Sequence, residues 1–247
     1  MDISLVIPAL NEAAKIGRDV SSAASFITES GMNGEVIIVD DGSTDETHKA
    51  ALSADIPPQV KRRVLRLEKN WGKGMAVKTG ILAGRGDVVL YADSGSCIPY
   101  ANALPSIWRI RDGKTDLALA SRRLKESVIC RNRPIKRRFL SWLFLQAAVG
   151  MAGLPRRITD SQCGFKVYRG EIARALFAGL ETPGFLFELE IILKSLKRGY
   201  RIDEFAVEWS CDLDTRLRPG SQALGIFREL LHVRSVIRKE KKVDYAF

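Results

Sequence analysis

One stretch narrows the possible folds more than any other: Glu35-Val-Ile-Ile-Val-Asp-Asp-Gly-Ser-Thr-Asp-Glu-Thr47. Val36 to Val39 is an unbroken apolar run, the pattern of a strand covered on both faces and hence of a parallel sheet. Asp40, Asp41 and Gly42 end it, with the glycine supplying the turn. Ser43 followed by Glu46 reads as a capping box, so a helix is expected to start there. Carboxylates at the carboxyl end of a parallel strand lie where open α/β sheets bind ligands. A surface turn with ordinary capping is the plainer alternative.

The chain around this stretch repeats the pattern. Ile3 to Ile7 is a first strand, stopped by Pro8. Asn11 is the expected N-cap of a helix that runs to Ser30 and stops at Gly31. The second helix runs to about Ala54, Pro57-Pro58 marks a loop, and Arg63 to Glu68 alternates as a third strand. Asn70-Trp-Gly-Lys-Gly-Met75 opens a helix closing at Gly84, and Val88 to Tyr91 is a fourth buried strand. This β-α-β-α-β-α-β order with short connections predicts an α/β fold with a mostly parallel, doubly wound sheet and helices on both faces. A helix over 102–111, a strand at Leu117–Ala120, helices from about Glu171 and from Pro183 to Gly199, and a late strand over Tyr200–Trp209 follow. Leu224 to Lys239 is an amphipathic helix with a basic end. The expected division is 1–215 for the main domain and 216–247 for that helix, packed on it or trailing it.

Charge and cysteines limit the function classes. The 247 residues carry a net charge of +10, which favours polyanions such as phosphorylated substrates, anionic lipid headgroups or nucleic acid. Cys97, Cys130, Cys163 and Cys211 are scattered and form neither a zinc pattern nor a disulfide framework, which suits a reducing cytoplasm. The N-terminus has no signal-peptide pattern, and no apolar run reaches the roughly 18 residues of a membrane span. GxGxxG after the first strand, GxxxxGK[ST], HExxH and the nucleophile elbow are all missing, so dinucleotide, P-loop, zinc-protease and hydrolase chemistries lose their fingerprints.

Three of the strands end in polar turns: Pro8-Ala-Leu-Asn-Glu12, Asp40-Asp41 and Asp93-Ser-Gly-Ser96. In a parallel sheet these ends share one edge, so Glu12, Asp40, Asp41 and Asp93 are expected in one cleft. Carboxylates there can accept hydrogen bonds from a ribose or a base, or hold a divalent cation that neutralises a pyrophosphate.

These residues resemble a known family. Ser4-Leu-Val-Ile-Pro-Ala-Leu-Asn-Glu12 with Val39-Asp-Asp-Gly-Ser-Thr-Asp45 looks like the opening of the inverting GT-A glycosyltransferases of family two. Asn70-Trp-Gly-Lys-Gly-Met75, Asp160-Ser-Gln-Cys-Gly-Phe-Lys166 and Glu188-Leu-Glu190 resemble its dolichyl-phosphate glucosyltransferase and polyprenyl-phosphate mannosyltransferase branch. The resemblance implies a GT-A fold and transfer of a hexose, glucose from UDP-glucose, to a polyprenyl or dolichyl phosphate. It implies that Pro8, Leu10 and Glu12 line the nucleobase pocket, that Asp40 and Asp41 meet base or ribose, and that Lys73 approaches the nucleotide. Asp93 matches the first aspartate of the DxD metal motif, Arg122 and Gln162 would lie on the phosphate and acceptor side, and Asp160 would be the general base. For a phosphate acceptor, already ionised at neutral pH, Asp160 would position rather than deprotonate.

The chain departs from the family at Gly95, where the motif would place its second aspartate. Three readings stay open: Mg2+ or Mn2+ held by Asp93 and the donor pyrophosphate alone, another carboxylate as substitute, or Arg and Lys stabilising the leaving group. A nucleotide-binding pseudoenzyme and transfer to a soluble acceptor also remain alternatives. Lys125 to Arg138, with Arg131 and Lys136 as further phosphate-side candidates, precedes the nearly unbroken apolar run Phe139–Leu154. Basic residues beside an aromatic-rich helix suit a peripheral membrane site at the cytoplasmic face, where a polyprenyl phosphate would dock. A buried core helix fits the same pattern, and no nucleic-acid motif is visible.

Overall fold

The computed structural model describes residues 1–130, 146–210 and 219–240. Its first half runs β1 (Ile3–Ala9), α1 (Ile16–Glu29), β2 (Gly34–Asp40), α2 (Thr47–Leu52), β3 (Lys61–Arg66), α3 (Lys73–Ala83) and β4 (Val88–Ala92). A 3-10 turn (Tyr100–Ala103), α4 (Leu104–Arg111), β5 (Leu117–Ser121) and β6 (Val128–Ile129) follow. A π-helical turn (Ala148–Ala152), β7 (Phe165–Arg169), α5 (Gly170–Ala178), α6 (Phe187–Lys197), β8 (Ile202–Ala206), β9 (Glu208–Trp209) and α7 (Pro219–Lys239) complete it. The main sheet has the order β3-β2-β1-β4-β7-β5-β8. Only β7 opposes its neighbours, so the sheet is mostly parallel, as expected. β6 and β9 form a small parallel pair.

Strand alternation divides the side chains between two cores. Ile3, Leu5, Ile7, Val36, Ile38 and Leu90 pack with Val20, Ala23 and Ile27 of α1 and Ile107 of α4. Val6, Ile37, Val39 and Tyr91 pack with Val77 and Ile81 of α3, Phe177 of α5 and Phe187 of α6. Covering both faces is why β1, β2 and β4 read as nearly continuous apolar runs. A third cluster joins Leu230 and Val233 of α7 to Leu189 and Ile192 of α6 and to Leu154 and Ile158.

Several local expectations shift. β1 continues through Pro8 to Ala9 and pairs with β2 along its whole length. Ala9 O accepts from Asp41 N, so Pro8 turns its nitrogen the other way. There the pairing with β4 has ended at Val6, and the missing N–H breaks no ladder bond. Asn11 does not cap α1. It has φ +48°, and its side chain accepts from Thr44 N. α2 starts at Thr47, whose N–H donates to Asp45, while Ser43 Oγ accepts from Asn11 N; no Ser43–Glu46 box forms. The third strand begins two residues earlier than expected, the late strand divides at Val207, and α7 starts at Pro219. β7 was not anticipated: its buried Lys166 interrupts the apolar pattern that marks an interior strand. The basic and aromatic candidates Arg131, Arg133, Lys136, Arg137, Arg138, Phe139, Leu140, Trp142, Leu143, Phe144 and Leu145 lie outside the described residues.

Candidate active site

The loops at the carboxyl ends of β1 to β4 are tied to one another. Asn11 N and Glu12 N donate to Ser43 Oγ and Thr47 Oγ1, at 2.8 and 2.7 Å, joining the first loop to the second. Asp41 accepts the N–H groups of Trp71 (2.8 Å) and Gly72 (3.0 Å), joining the second to the third. Burial raises the Asp41 pKa, even though these two bonds favour its charged form. Lys73, the first residue of α3, then reaches Asp93 after β4, with Nζ 2.8 Å from Oδ1. Glycine is required at two points here. Gly72 has φ +101°, and a Cβ on Gly74 would lie 2.6 Å from Thr182 O, so only glycines let this loop approach 182–183 so closely.

The first polar cluster is centred on Asp93. Tyr91, two residues earlier on the same sheet face, donates its hydroxyl to Asp93 Oδ1 at 2.6 Å. Burial disfavours the Lys73 ammonium, but Asp93 and Glu188 more than offset this and hold its pKa above that of an ordinary lysine. Asp93 is the most open member, with its side chain 39% exposed against 22% for Lys73. It is therefore the carboxylate a ligand can reach.

The second cluster follows β5. Arg122 grips Asp160 with Nε at 2.6 Å and Nη2 at 2.8 Å, its N–H adds a third bond to the same carboxylate, and Nη2 also donates to Gln162 O. The guanidinium lies 5.7 Å from the Trp209 ring centroid. Burial works against the Asp160 carboxylate, yet Arg122 holds its pKa below the usual range. None of these bonds uses Nη1. Asp160, 4% exposed and committed on both oxygens, is built to fix a guanidinium.

Between the clusters runs β7. Asp93 N donates to Gly164 O at 2.8 Å. Lys166, fully buried, pairs with Glu188 of α6 at 2.5 Å and also donates to Cys163 O. Glu188 sits in the first turn of α6, where the helix dipole favours a negative charge. Burial pushes the Cys163 thiol up to about 12, so it is an unreactive thiol at neutral pH. Tyr91 was not among the sequence candidates, and Lys166 and Glu188 stood in the motifs that carry the resemblance without being given a role. The signal for Lys166 was a lysine between the apolar Phe165 and Val167 of a strand pattern.

The remaining candidates divide. Pro8 is buried within β1, while Leu10 and Glu12 are half-buried at its end. Asp40 does not open to ligand: it is 0% exposed, accepts from Ser43 N and faces Arg66 at 3.4 Å and His48 at 3.9 Å. Its work is to hold the turn. Among the described residues no group of three or more His, Cys, Asp and Glu could hold a metal. A hard cation such as Mg2+ takes one or two carboxylates and completes its shell with phosphate oxygens and water. Asp93 is a carboxylate of that kind, but both of its oxygens are engaged, Oδ1 by Tyr91 and Lys73 and Oδ2 by Lys73 at 3.0 Å, so a cation bound there would take the place of the Lys73 ammonium on one of them.

Comparisons with known proteins agree with this layout. The family model described as "Glycosyl transferase family 2" matches residues 4–177. A dolichyl-phosphate beta-glucosyltransferase of Saccharomyces cerevisiae is 33% identical over 94% of this chain and 74% of its own length. A dolichyl-phosphate beta-glucosyltransferase of Dictyostelium discoideum is 30% identical over 94% and 73%. Among solved structures, glucosyl-3-phosphoglycerate synthase from Mycobacterium tuberculosis in complex with Mn2+, UDP-glucose and phosphoglyceric acid superposes with a TM-score of 0.67. It shares 21% identity and covers 96% of this chain and 80% of that one; at that identity the likeness speaks for the fold alone. The strand-end carboxylates, the glycine-flanked lysine and the match over most of the sequence converge: this chain belongs to glycosyl transferase family 2, in its dolichyl-phosphate glucosyltransferase-like branch, and is a glycosyltransferase.

Proposed function

We propose that this glycosyltransferase moves glucose from UDP-glucose to a polyprenyl or dolichyl phosphate, with inversion, at the cytoplasmic face of a membrane that holds it peripherally. The names of the relatives that align over 94% of the chain support the lipid acceptor, and the UDP-glucose and Mn2+ named with the structural neighbour support the donor and a divalent cation. The observation that carries the reading is the pair of clusters on either side of β7. Asp93, paired with Lys73, follows β4 and Arg122, paired with Asp160, follows β5, strands that lie two inter-strand spacings, about 10 Å, apart in the sheet. That separation leaves room for one sugar ring between a donor diphosphate and an acceptor phosphate.

In this reading Pro8, Leu10 and Glu12 bound the nucleobase, and Asp41 acts by fixing the Trp71-Gly72 loop that presents Lys73. The Lys73 ammonium faces the diphosphate and stabilises it as it departs. A divalent cation, held by Asp93 and the diphosphate oxygens, would supply further positive charge to the same leaving group. Arg122 takes the acceptor phosphate through Nη1, beside Gln162, and orients one phosphate oxygen towards the anomeric carbon. That oxygen is already ionised, so it forms the new C–O bond as the bond to the nucleoside diphosphate breaks, and no proton has to be removed. Asp160 then serves to hold Arg122. Arg131 and Lys136 are proposed for the acceptor side on the family resemblance.

Transfer to a soluble phosphorylated acceptor is the second reading, favoured by the phosphoglyceric acid named with the structural neighbour. Among the described residues no helix is long and apolar enough to cross a membrane. The test is incubation of the folded protein with labelled UDP-glucose and, in separate arms, dolichyl phosphate in vesicles, 3-phosphoglycerate, or no acceptor. Label is expected in the lipid fraction. Label in the phosphoglycerate arm alone selects the second reading, and no turnover of any UDP- or GDP-sugar refutes both. Flotation with anionic vesicles, lost at high salt, is the expected sign of peripheral binding.

A further inference from the structure

Gly95 stands where the metal motif of the family that the chain resembles would carry a second carboxylate, and a buried residue on another element holds the turn there. Asp19 of α1 is 0% exposed. Its Oδ2 accepts the Gly95 N–H at 2.6 Å, and its Oδ1 accepts the Ser96 hydroxyl. Gly95 and Ser96 have φ of +101° and +48°. A left-handed serine is uncommon, and such a backbone persists only where its surroundings hold it. Asp19 supplies that hold through both of its oxygens. Burial works against its charge and raises its pKa; the two hydrogen bonds, with Arg18 and Lys15 nearby, offset part of that, and both bonds go to the turn that begins at Asp93.

We infer that Asp19 is a positioning residue for the donor: it folds the 93–96 turn onto α1, so that Asp93, braced by Lys73 and Tyr91, is the one carboxylate presented to the diphosphate. The inference rests on the reading of Asp93 as the donor-side carboxylate. It explains how the site does without an aspartate at position 95. The Gly95 N–H is committed to α1, and an aspartate there would have to adopt the left-handed backbone that the glycine now takes without strain. Gly95→Asp is therefore expected to loosen the turn rather than to restore a two-carboxylate site.

The test uses Asp19→Ala, Asp19→Asn and Ser96→Ala, with three readouts: UDP affinity by calorimetry, the separate KM values for donor and acceptor, and amide hydrogen exchange at Gly95. Asp19→Ala is expected to weaken UDP binding and raise the donor KM roughly tenfold, leave the acceptor KM unchanged and speed exchange at Gly95. Asp19→Asn keeps one carbonyl acceptor and should recover part of the loss. Ser96→Ala leaves the core intact and should shift the donor KM in the same direction. An Asp19→Ala protein that folds and keeps the native UDP affinity and donor KM overturns the inference. So does an equal loss in the donor and acceptor terms across the variants. If Asp19→Ala does not fold, an unchanged donor KM in Ser96→Ala overturns it alone. Failure of the functional reading is seen earlier and separately, as a native protein that binds no nucleoside diphosphate.

Discussion

Asp160→Asn separates a base from a clasp. The carboxylate takes three bonds from Arg122, two of them at 2.6 and 2.8 Å, and is nearly inaccessible to water. Removing one partner of a buried ion pair costs about 3–5 kcal/mol. The amide keeps one oxygen, and Gln162 O and Trp209 still engage the guanidinium, so the lower end, about 3 kcal/mol, is expected. For a chain of this size that lowers Tm by roughly 6–12 °C. A guanidinium no longer held in place loses one charge-assisted bond to the acceptor phosphate, about 1.5–3 kcal/mol, or roughly 10- to 150-fold in acceptor kcat/KM. Steady-state rates with a short-chain polyprenyl phosphate at saturating UDP-glucose measure this, together with the pH profile of kcat. The expected pattern is a raised acceptor KM, an unchanged donor KM and an unaltered pH profile, with Arg122→Lys behaving alike because it keeps the charge and loses the fork. An unchanged acceptor KM, with kcat about a hundred- to ten-thousand-fold lower and the acidic limb of the profile gone, would identify Asp160 as a general base and refute the reasoning.

Gly164→Ala should place its Cβ about where the Asp93 carboxylate now lies, since a built Cβ comes 2.0 Å from Oδ2. Donor affinity is expected to fall at least tenfold in calorimetry while Tm changes little, because a side-chain end can move aside without disturbing the sheet. Lys166→Met leaves Glu188 buried and unpaired and should destabilise by about 3–5 kcal/mol in urea titrations. Lys166→Met combined with Glu188→Leu should regain most of that, and an additive double variant would contradict the pairing. The folded-state pKa of Asp160 lies below its unfolded value of about 3.9. Its pair with Arg122 therefore stabilises fully above about pH 4 and is lost as the pH falls through the lower folded value. The urea midpoint of the native protein should accordingly drop more steeply over that acidic range than that of Asp160→Asn; parallel curves would count against a lowered Asp160 pKa.

The order of elements through β4 was legible because each strand is buried on both faces and writes itself as an apolar run such as Val36–Val39. The glycine-flanked Lys73 and the acidic strand ends were legible for the same reason: a parallel sheet puts all its carboxyl ends on one edge. β7 was not legible. An antiparallel strand inserted between β4 and β5 pairs through partners far away in sequence, and Lys166 within it looks like a surface residue until Glu188 is known to lie 2.5 Å away. Asp40 and Asp41 are adjacent and equally acidic in sequence, yet the strand pleat sends one to Arg66 and the other to the Lys73 loop.

From its residues alone, then, this chain declares a mostly parallel α/β core, the edge that gathers its acidic strand ends and the family it belongs to, because short-range periodicity and turn chemistry are written locally. Which charges meet is decided only by the tertiary structure. Arg122 finds Asp160, Lys73 finds Asp93 and Asp19 reaches Gly95 across 20 to 76 positions of sequence. A buried charge is tolerated only when the completed fold brings it a partner.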